Sequence, residues 1–260
     1  MPDGSMIYPT KGTPQGGILS PLLANIVLNE LDWWISSQWE TMPTHKQFKK
    51  TYSKNGTENR GYIYNIFRNK TTLKEMYIVR YADDFKIFCR KRNDADKIFI
   101  AVKKWLKERL KLEISEEKSK VVNLKKQYSE FLGFKLKAVK KADKYVVRSY
   151  MSDKAVKRET NKLVNQIKLI QHSKNSTEQI MQIKQYNSMV FGIHNYYRYA
   201  TVVNHDCMKM QFKISRIMYN RLEGLKKNGI IGRKYIADIY GQSKMMRFLS
   251  QEPICPIGYV

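Results

Sequence analysis

Two aspartates stand side by side in "VRYADDFKIFC", residues 79 to 89, of a chain that is otherwise strongly basic. Asp83 and Asp84 lie between two runs of alternating apolar and polar residues, the pattern of a β-hairpin with the acids at its tip. Two carboxylates held this close lose free energy unless a cation lies between them. Magnesium suits that place, because it takes hard oxygen ligands and keeps open positions for phosphate oxygens. A pair of such ions can activate a 3′-hydroxyl and stabilise a leaving pyrophosphate in an in-line displacement. An Asp-Asp pair alone is also compatible with a solvated surface turn; the flanking Tyr81 and Phe85 set this one apart from a polar helix face.

The charge balance of the 260-residue chain points the same way. Lys and Arg number 48 against 23 Asp and Glu, a formal net charge of +25. Charge of this size repels itself in a compact state and calls for a polyanionic partner, nucleic acid first. No apolar run approaches the ~20 residues that span a bilayer, so no membrane role is expected. Cys89, Cys207 and Cys255 are far apart and form no CxxC or His-Cys cluster, which fits a reducing, cytoplasmic setting without structural zinc. His45, His172, His194 and His205 are scattered and receive no metal or proton-transfer role.

The elements that must position the acids can be read in outline. A Gly-rich loop, "GTPQGG", feeds a helix entered at Ser20-Pro21, with apolar residues at 23, 26, 27, 31 and 34. Residues 41 to 72 read as a polar surface insertion, 75 to 90 as the hairpin, and the stretch from Asn93 as a helix with Ile98, Val102, Trp105, Leu106 and Leu110 on one stripe. A short strand is expected near Lys120 to Leu124, then a second hairpin from "FLGFKLKAV" and "KYVVRSYM". From residue 152 the spacing is helical throughout. Val156, Thr160, Leu163, Ile167 and Ile170 form one seam, and Ile180, Ile183, Val190, Ile193 and Tyr197 a second behind a Ser176 cap. A third helix near Asp206 carries apolar residues on two faces, Met210, Ile214 and Ile217 beside Met208, Phe212 and Leu222. The reading is an α+β unit over 1–150 followed by an all-α bundle over 151–260.

Tyr81-Ala82-Asp83-Asp84, preceded by "GTPQGGILSPLLANIVLNELD" and followed by "LEISEEKSK" and "FLGF" in that order, resembles a reverse transcriptase/maturase of the group II intron type. The resemblance covers nearly the whole chain. It implies a partial right-hand polymerase palm, an antiparallel sheet with helices, and then a helical thumb or maturase domain that includes "FGIHNYYRYA". By the same resemblance Asp83 and Asp84 are metal ligands for two Mg²⁺ ions, and Pro14, Gln15 and Gly16, with Tyr81 and Ala82, border the incoming dNTP. Lys118 falls near the triphosphate, where it could protonate pyrophosphate, steady its charge, or simply be solvated. Phe131, Leu132, Gly133 and Phe134 match the element that supports the primer 3′ end, although both phenylalanines would also serve as core.

RNA binding rests on the residues as well. Between Lys135 and Lys174 there are twelve basic residues and three acids, a face able to track a phosphate backbone. Lys154, Lys157, Arg158 and Lys162 belong to it, and Tyr196, Tyr197 and Tyr199 beside Arg198 could stack on bases, with at least one of the rings more at home in the core. The implied partners are group II intron RNA and an RNA template with its DNA primer. The family's first metal-binding carboxylate lies on a strand before the PQG loop, and only twelve residues precede Thr13, with Asp3 the sole acid. The expectation is therefore a chain without its fingers, inefficient alone and paired with an N-terminal fragment or a second copy. "EPICPIGYV" at the end suggests no nuclease. Two functions follow from this reading: RNA-templated DNA synthesis, or a non-catalytic maturase that binds intron RNA and assists splicing.

Overall fold

The computed structural model describes residues 19–44 and 49–227. These divide into two compact units, one up to Val121 and one from Val122. The sequence reading placed that boundary near residue 150. The second hairpin instead groups with the helices, because its residues Phe134 and Met151 pack into the helical core.

In the first unit, α1 (Ser20–Gln38) points Leu28, Leu31 and Ile35 inward at helical spacing, with Trp39 just beyond its end. They meet Phe67 of α2 (Gly61–Lys70), Met76 of β1 (Met76–Tyr81), and Ile98, Val102 and Leu106 of α3 (Arg92–Trp105) and the π-helical turn that prolongs it, Leu106–Leu110. Trp34 stacks on Trp105 with ring centres 4.9 Å apart. Two expectations change here. The segment 41–72 is not only a polar insertion, since α2 lies within it and buries Phe67. On α1, Leu23, Ile26 and Val27 are exposed, because the inward stripe runs through 28, 31 and 35 and leaves them further round the helix.

β1 pairs antiparallel with β2 (Asp84–Cys89), Tyr81 opposite Asp84 and Arg80 opposite Phe85. In the second unit, β3 (Ser129–Phe131), β4 (Phe134–Lys141) and β5 (Lys144–Met151) form an antiparallel sheet in that order. The strand expected at 120–124 is absent; that segment is irregular and tied to β4 by the Ala138 N–H donating to Leu124 O at 2.9 Å.

Three helices complete this unit. α4 (Asp153–Gln171) is capped by Ser152, whose Oγ accepts from the Ala155 N–H. α5 (Ser176–Tyr197) is capped by Asn175 rather than Ser176, through the Glu178 N–H at 2.8 Å. α6 (Val203–Lys227) is anchored to β5, Asp206 accepting from the Met151 N–H at 2.9 Å. Leu163, Ile167 and Ile170, with Ile183, Tyr186, Val190 and Ile193, and Met210, Ile214 and Met218, make the core. Ile180, Met208 and Phe212, read as covered, are exposed, since each helix turns one seam to the core and these residues lie off it. The observed class is mixed helix with small antiparallel sheets, α+β as expected. No helix among the described residues is long and apolar enough to cross a membrane.

Candidate metal site and nucleic-acid interface

The hairpin reverses direction in two residues, Ala82 and Asp83, between the paired Tyr81 and Asp84. Ala82 takes a left-handed backbone, φ +53°, which an L-residue other than glycine adopts at a cost of about 1 kcal/mol. Something must hold it there. Arg80, two residues before the turn, donates from Nη1 to the Ala82 carbonyl at 2.9 Å and to Asn25 Oδ1 at 2.8 Å. Its Nε and Nη2 form a fork on the Asp32 carboxylate at 3.0 and 2.6 Å. The Arg80 side chain is only 12% exposed. The hydrogen bond to Asp32, opposed by partial burial, holds the guanidinium above its usual range. A helix is thereby tied through one planar cation to the carbonyl at the hairpin tip.

Strand alternation then decides where the acids point. Met76, Ile78 and Arg80 face one way; Tyr81 and Asp84 share the other face at the tip, and Asp83 occupies the turn itself. Asp83, Asp84 and Tyr81 are exposed and Ala82 half-buried. Neither carboxylate makes a hydrogen bond or ion pair among the described residues, in a chain of net charge +25. Two bare carboxylates on neighbouring residues are hard oxygen donors of the kind magnesium takes. Among the described residues no third His, Cys, Asp or Glu joins them in a group able to hold a metal. Lys118 lies exposed in a turn over 116–118. Pro14, Gln15 and Gly16 lie outside the described residues.

In the second unit the structure brings together two motifs that are 60 residues apart. Phe131 ends β3, Leu132 and Gly133 form the turn with φ +49° and +76°, and Phe134 opens β4. A Cβ on Gly133 would lie 2.9 Å from the Tyr197 hydroxyl, so the close approach of α5 requires glycine there. Tyr196 donates its hydroxyl to Leu132 O at 3.0 Å and stacks on Phe134 with centres 5.6 Å apart. The Ser152 N–H donates to Gly133 O at 2.8 Å. Tyr197 is a core residue, 3% exposed, which burial itself signals by raising its hydroxyl pKa; Tyr196 and Tyr199 are the exposed rings, and Arg198 lies over the Tyr199 ring at 4.8 Å.

Lys154, Lys157, Arg158 and Lys162 all lie on the exposed face of α4. Glu159 takes charge from two of them, at 2.6 Å from Arg158 and 3.3 Å from Lys162. A second cationic surface, which the sequence reading covered only as a count of charges, lies on the sheet. Lys135 pairs across the strands with Tyr150 and Lys137 with Arg148. Lys137 and Lys135 lie over Tyr128 at 4.9 and 5.3 Å, and Lys125 over Tyr145 at 4.1 Å. A ring lies beneath each of these ammonium groups, and Lys135, its side chain only 15% exposed, is in addition paired with Asp153 Oδ1 at 2.6 Å. The free thiols are not candidates for chemistry: burial raises Cys89 to about 11 and Cys207 to about 12.

The first unit thus presents two acids at a hairpin tip, and the second unit, taken by itself, carries a cation-rich sheet and helix face. Residues 2–136 match the reverse transcriptase (RNA-dependent DNA polymerase) family, and the chain belongs to it. It is 32% identical over 154 residues to the group II intron-encoded protein LtrA of Lactococcus lactis subsp. cremoris, covering 48% of this chain and 26% of that protein. Identity is 29% over 184 residues to a COX1/OXI3 intron 2 protein of Saccharomyces cerevisiae, 55% of this chain and 20% of the relative. Protein YkfC of Escherichia coli is 29% identical over 137 residues, 52% and 34% of the two chains. The matched segments thus span between a fifth and about a third of these relatives.

Proposed function

We propose that this chain carries the Asp83–Asp84 part of a magnesium-dependent nucleotidyl-transfer site of a group II intron reverse transcriptase and maturase. One observation carries the reading: two exposed carboxylates without a partner among the described residues, on a turn that Arg80 of β1 ties to α1. The first unit then acts as palm and the second as thumb or maturase domain. Bound magnesium would supply charge neutralisation and activation of the primer hydroxyl. The protein's part is positional. Arg80 fixes the Ala82 carbonyl, the short turn presents Asp83 and Asp84 together, and the unpaired acids give the ion its ligands. The third carboxylate of such a site comes from outside the described residues. Lys118, Tyr81 and Ala82 stand near the dNTP in this reading, as do Pro14, Gln15 and Gly16, which lie outside the described residues, and Phe131 to Phe134 stand under the primer end.

The second unit grips RNA through the α4 face of Lys154, Lys157, Arg158 and Lys162, and through Lys125 and Lys137, each set over a tyrosine ring. That same surface supports the maturase reading, in which the chain stabilises folded intron RNA whether or not it polymerises. The test is magnesium-dependent primer extension on an RNA template, by the chain with and without a separately supplied N-terminal reverse transcriptase fragment. Extension in either arm that Asp83→Asn abolishes supports the polymerase; no extension in both arms overturns it. Splicing assistance that survives Asp83→Asn assigns the maturase role to the second unit. RNA affinity should fall steeply with salt, and a flat profile counts against the cationic surfaces.

A further inference from the structure

Beside the Leu132-Gly133 turn the surface of the second unit opens into a cavity of about 480 Å³, lined by Phe134, Gly192, Asn195, Tyr196, Arg198 and Tyr199. Gly192, Asn195, Tyr196 and Tyr199 follow the i, i+3, i+4, i+7 spacing, so one side of α5 and its C-terminal continuation forms most of the lining. Each lining group has a distinct physical character. Gly192 leaves the space open: a Cβ there would meet nothing within 4 Å. Asn195 is exposed, and its amide makes no hydrogen bond among the described residues. Tyr196, 51% exposed, is locked in place by its bond to Leu132 O and its stack on Phe134, which makes a rigid wall. Tyr199, 71% exposed, lies under the Arg198 guanidinium, whose Nη2 also donates to the Tyr199 hydroxyl at 2.7 Å. The wall and the Arg198–Tyr199 pair are two flat platforms, and the Asn195 amide lines the same cavity.

A surface that only tracks phosphates needs none of this. Flat rings and a guanidinium plane are what unpaired bases stack on, and a side-chain amide with a donor and an acceptor side by side reads a base edge. An Asn amide matches adenine best, whose amino group and ring nitrogen offer the complementary pair. We infer that this cavity takes one unpaired adenosine of a bound RNA, with the base stacked on the Arg198–Tyr199 pair and its edge read by Asn195. The inference rests on the RNA-binding reading above and adds base selectivity at one position.

Fluorescence anisotropy of the full chain with labelled eight-nucleotide oligoadenylate and oligouridylate, at several salt concentrations, tests it. The chain should prefer oligoadenylate by about tenfold, the discrimination one bidentate amide contact supports. Gly192→Leu fills the cavity with a residue that favours helix more than glycine does, so the fold is not at risk. It should remove the preference and leave the salt slope unchanged; Asn195→Ala should do the same. Tight, salt-sensitive binding of both oligomers without preference, unaltered by either substitution, overturns the pocket and leaves the cationic surfaces standing. An equal loss on both oligomers in Gly192→Leu overturns the edge reading. Altered sedimentation of that variant with unchanged RNA binding marks the cavity as a protein contact and overturns the inference as well. Failure of the chain to bind either oligomer removes the parent reading itself.

Discussion

At Ala82–Asp83 and at Leu132–Gly133 the chain makes the same two-residue reversal, and each turn includes a left-handed residue that is not glycine. What holds the two tips differs. The first is held by charge: Arg80 spans from Asp32 and Asn25 to the Ala82 carbonyl, and Asp83 and Asp84 stay exposed without a bond among the described residues. The second is held by packing, with Tyr197 against Gly133, Tyr196 bonded to Leu132 O and Phe134 stacked on Tyr196. An electrostatic clamp at the side of a turn positions exposed acids without covering them. A packed tip is rigid but surrenders its surface, which suits a support better than a metal site.

Substitutions that separate the two tips sharpen this contrast. The largest effect is expected on chemistry: Asp83→Asn should lower primer extension about a thousandfold, roughly 4 kcal/mol, while leaving the unfolding midpoint unchanged. Loss of stability in place of activity would place Asp83 in the fold and not at the metal.

Acid should distinguish the two units next. His194 is 4% exposed with neither ring nitrogen hydrogen-bonded among the described residues, and burial lowers its pKa to about 4. The unfolded imidazole takes its proton near 6.5, so between these values the unfolded state binds more protons than the folded one. Stability is therefore full above pH 6.5 and falls as pH drops towards 4, by up to roughly 3 kcal/mol. All four tryptophans, Trp33, Trp34, Trp39 and Trp105, lie in the first unit, so tryptophan fluorescence should hold while circular dichroism of the helices in the second declines. His194→Leu should flatten the acid limb; an unchanged limb would trace it to another group.

Of comparable size, Gly133→Ala should destabilise the second unit by about 2 to 3 kcal/mol, from the collision with the Tyr197 hydroxyl and the positive φ together. Arg80→Ala should cost the first unit about 2 kcal/mol and reduce extension as well, because the turn is released. Combining it with Asp32→Asn should add less than the sum of the two single effects if the pair acts as one clamp. The smallest effect belongs to Ala82→Gly, within about 0.5 kcal/mol, since relief of the left-handed strain is offset by the greater freedom of glycine in the unfolded chain. A large loss there would mean that the Ala82 methyl group packs where the backbone alone was credited.

Much of this was legible in local pattern. Alternation around residues 79–89 announced the hairpin and put the acids at its tip, and seams at three- and four-residue spacing announced α4 and α5. What escaped was decided by contacts remote in sequence. Arg80 carried no signal of its own, because its partners Asn25 and Asp32 are on α1, some fifty residues earlier in the chain. The second hairpin looked like part of the first unit by position in the chain, and only the burial of Phe134 and Met151 assigned it to the second. Tyr196 and Tyr197 are indistinguishable in composition, yet one helical step turns the first to solvent and the second into the core.

The sequence by itself determined the strongly positive charge, the two hairpins and the seams of α4 and α5, and the pairing of two acids at one bend, because each depends on residue type and on spacing within a few positions. The tertiary structure alone decided which apolar stripe of α1 is buried, which tyrosine is free to stack, and which arginine holds the acidic turn. Those outcomes turn on how the surfaces of distant segments fit together, and periodicity carries no information about the partner a surface will meet.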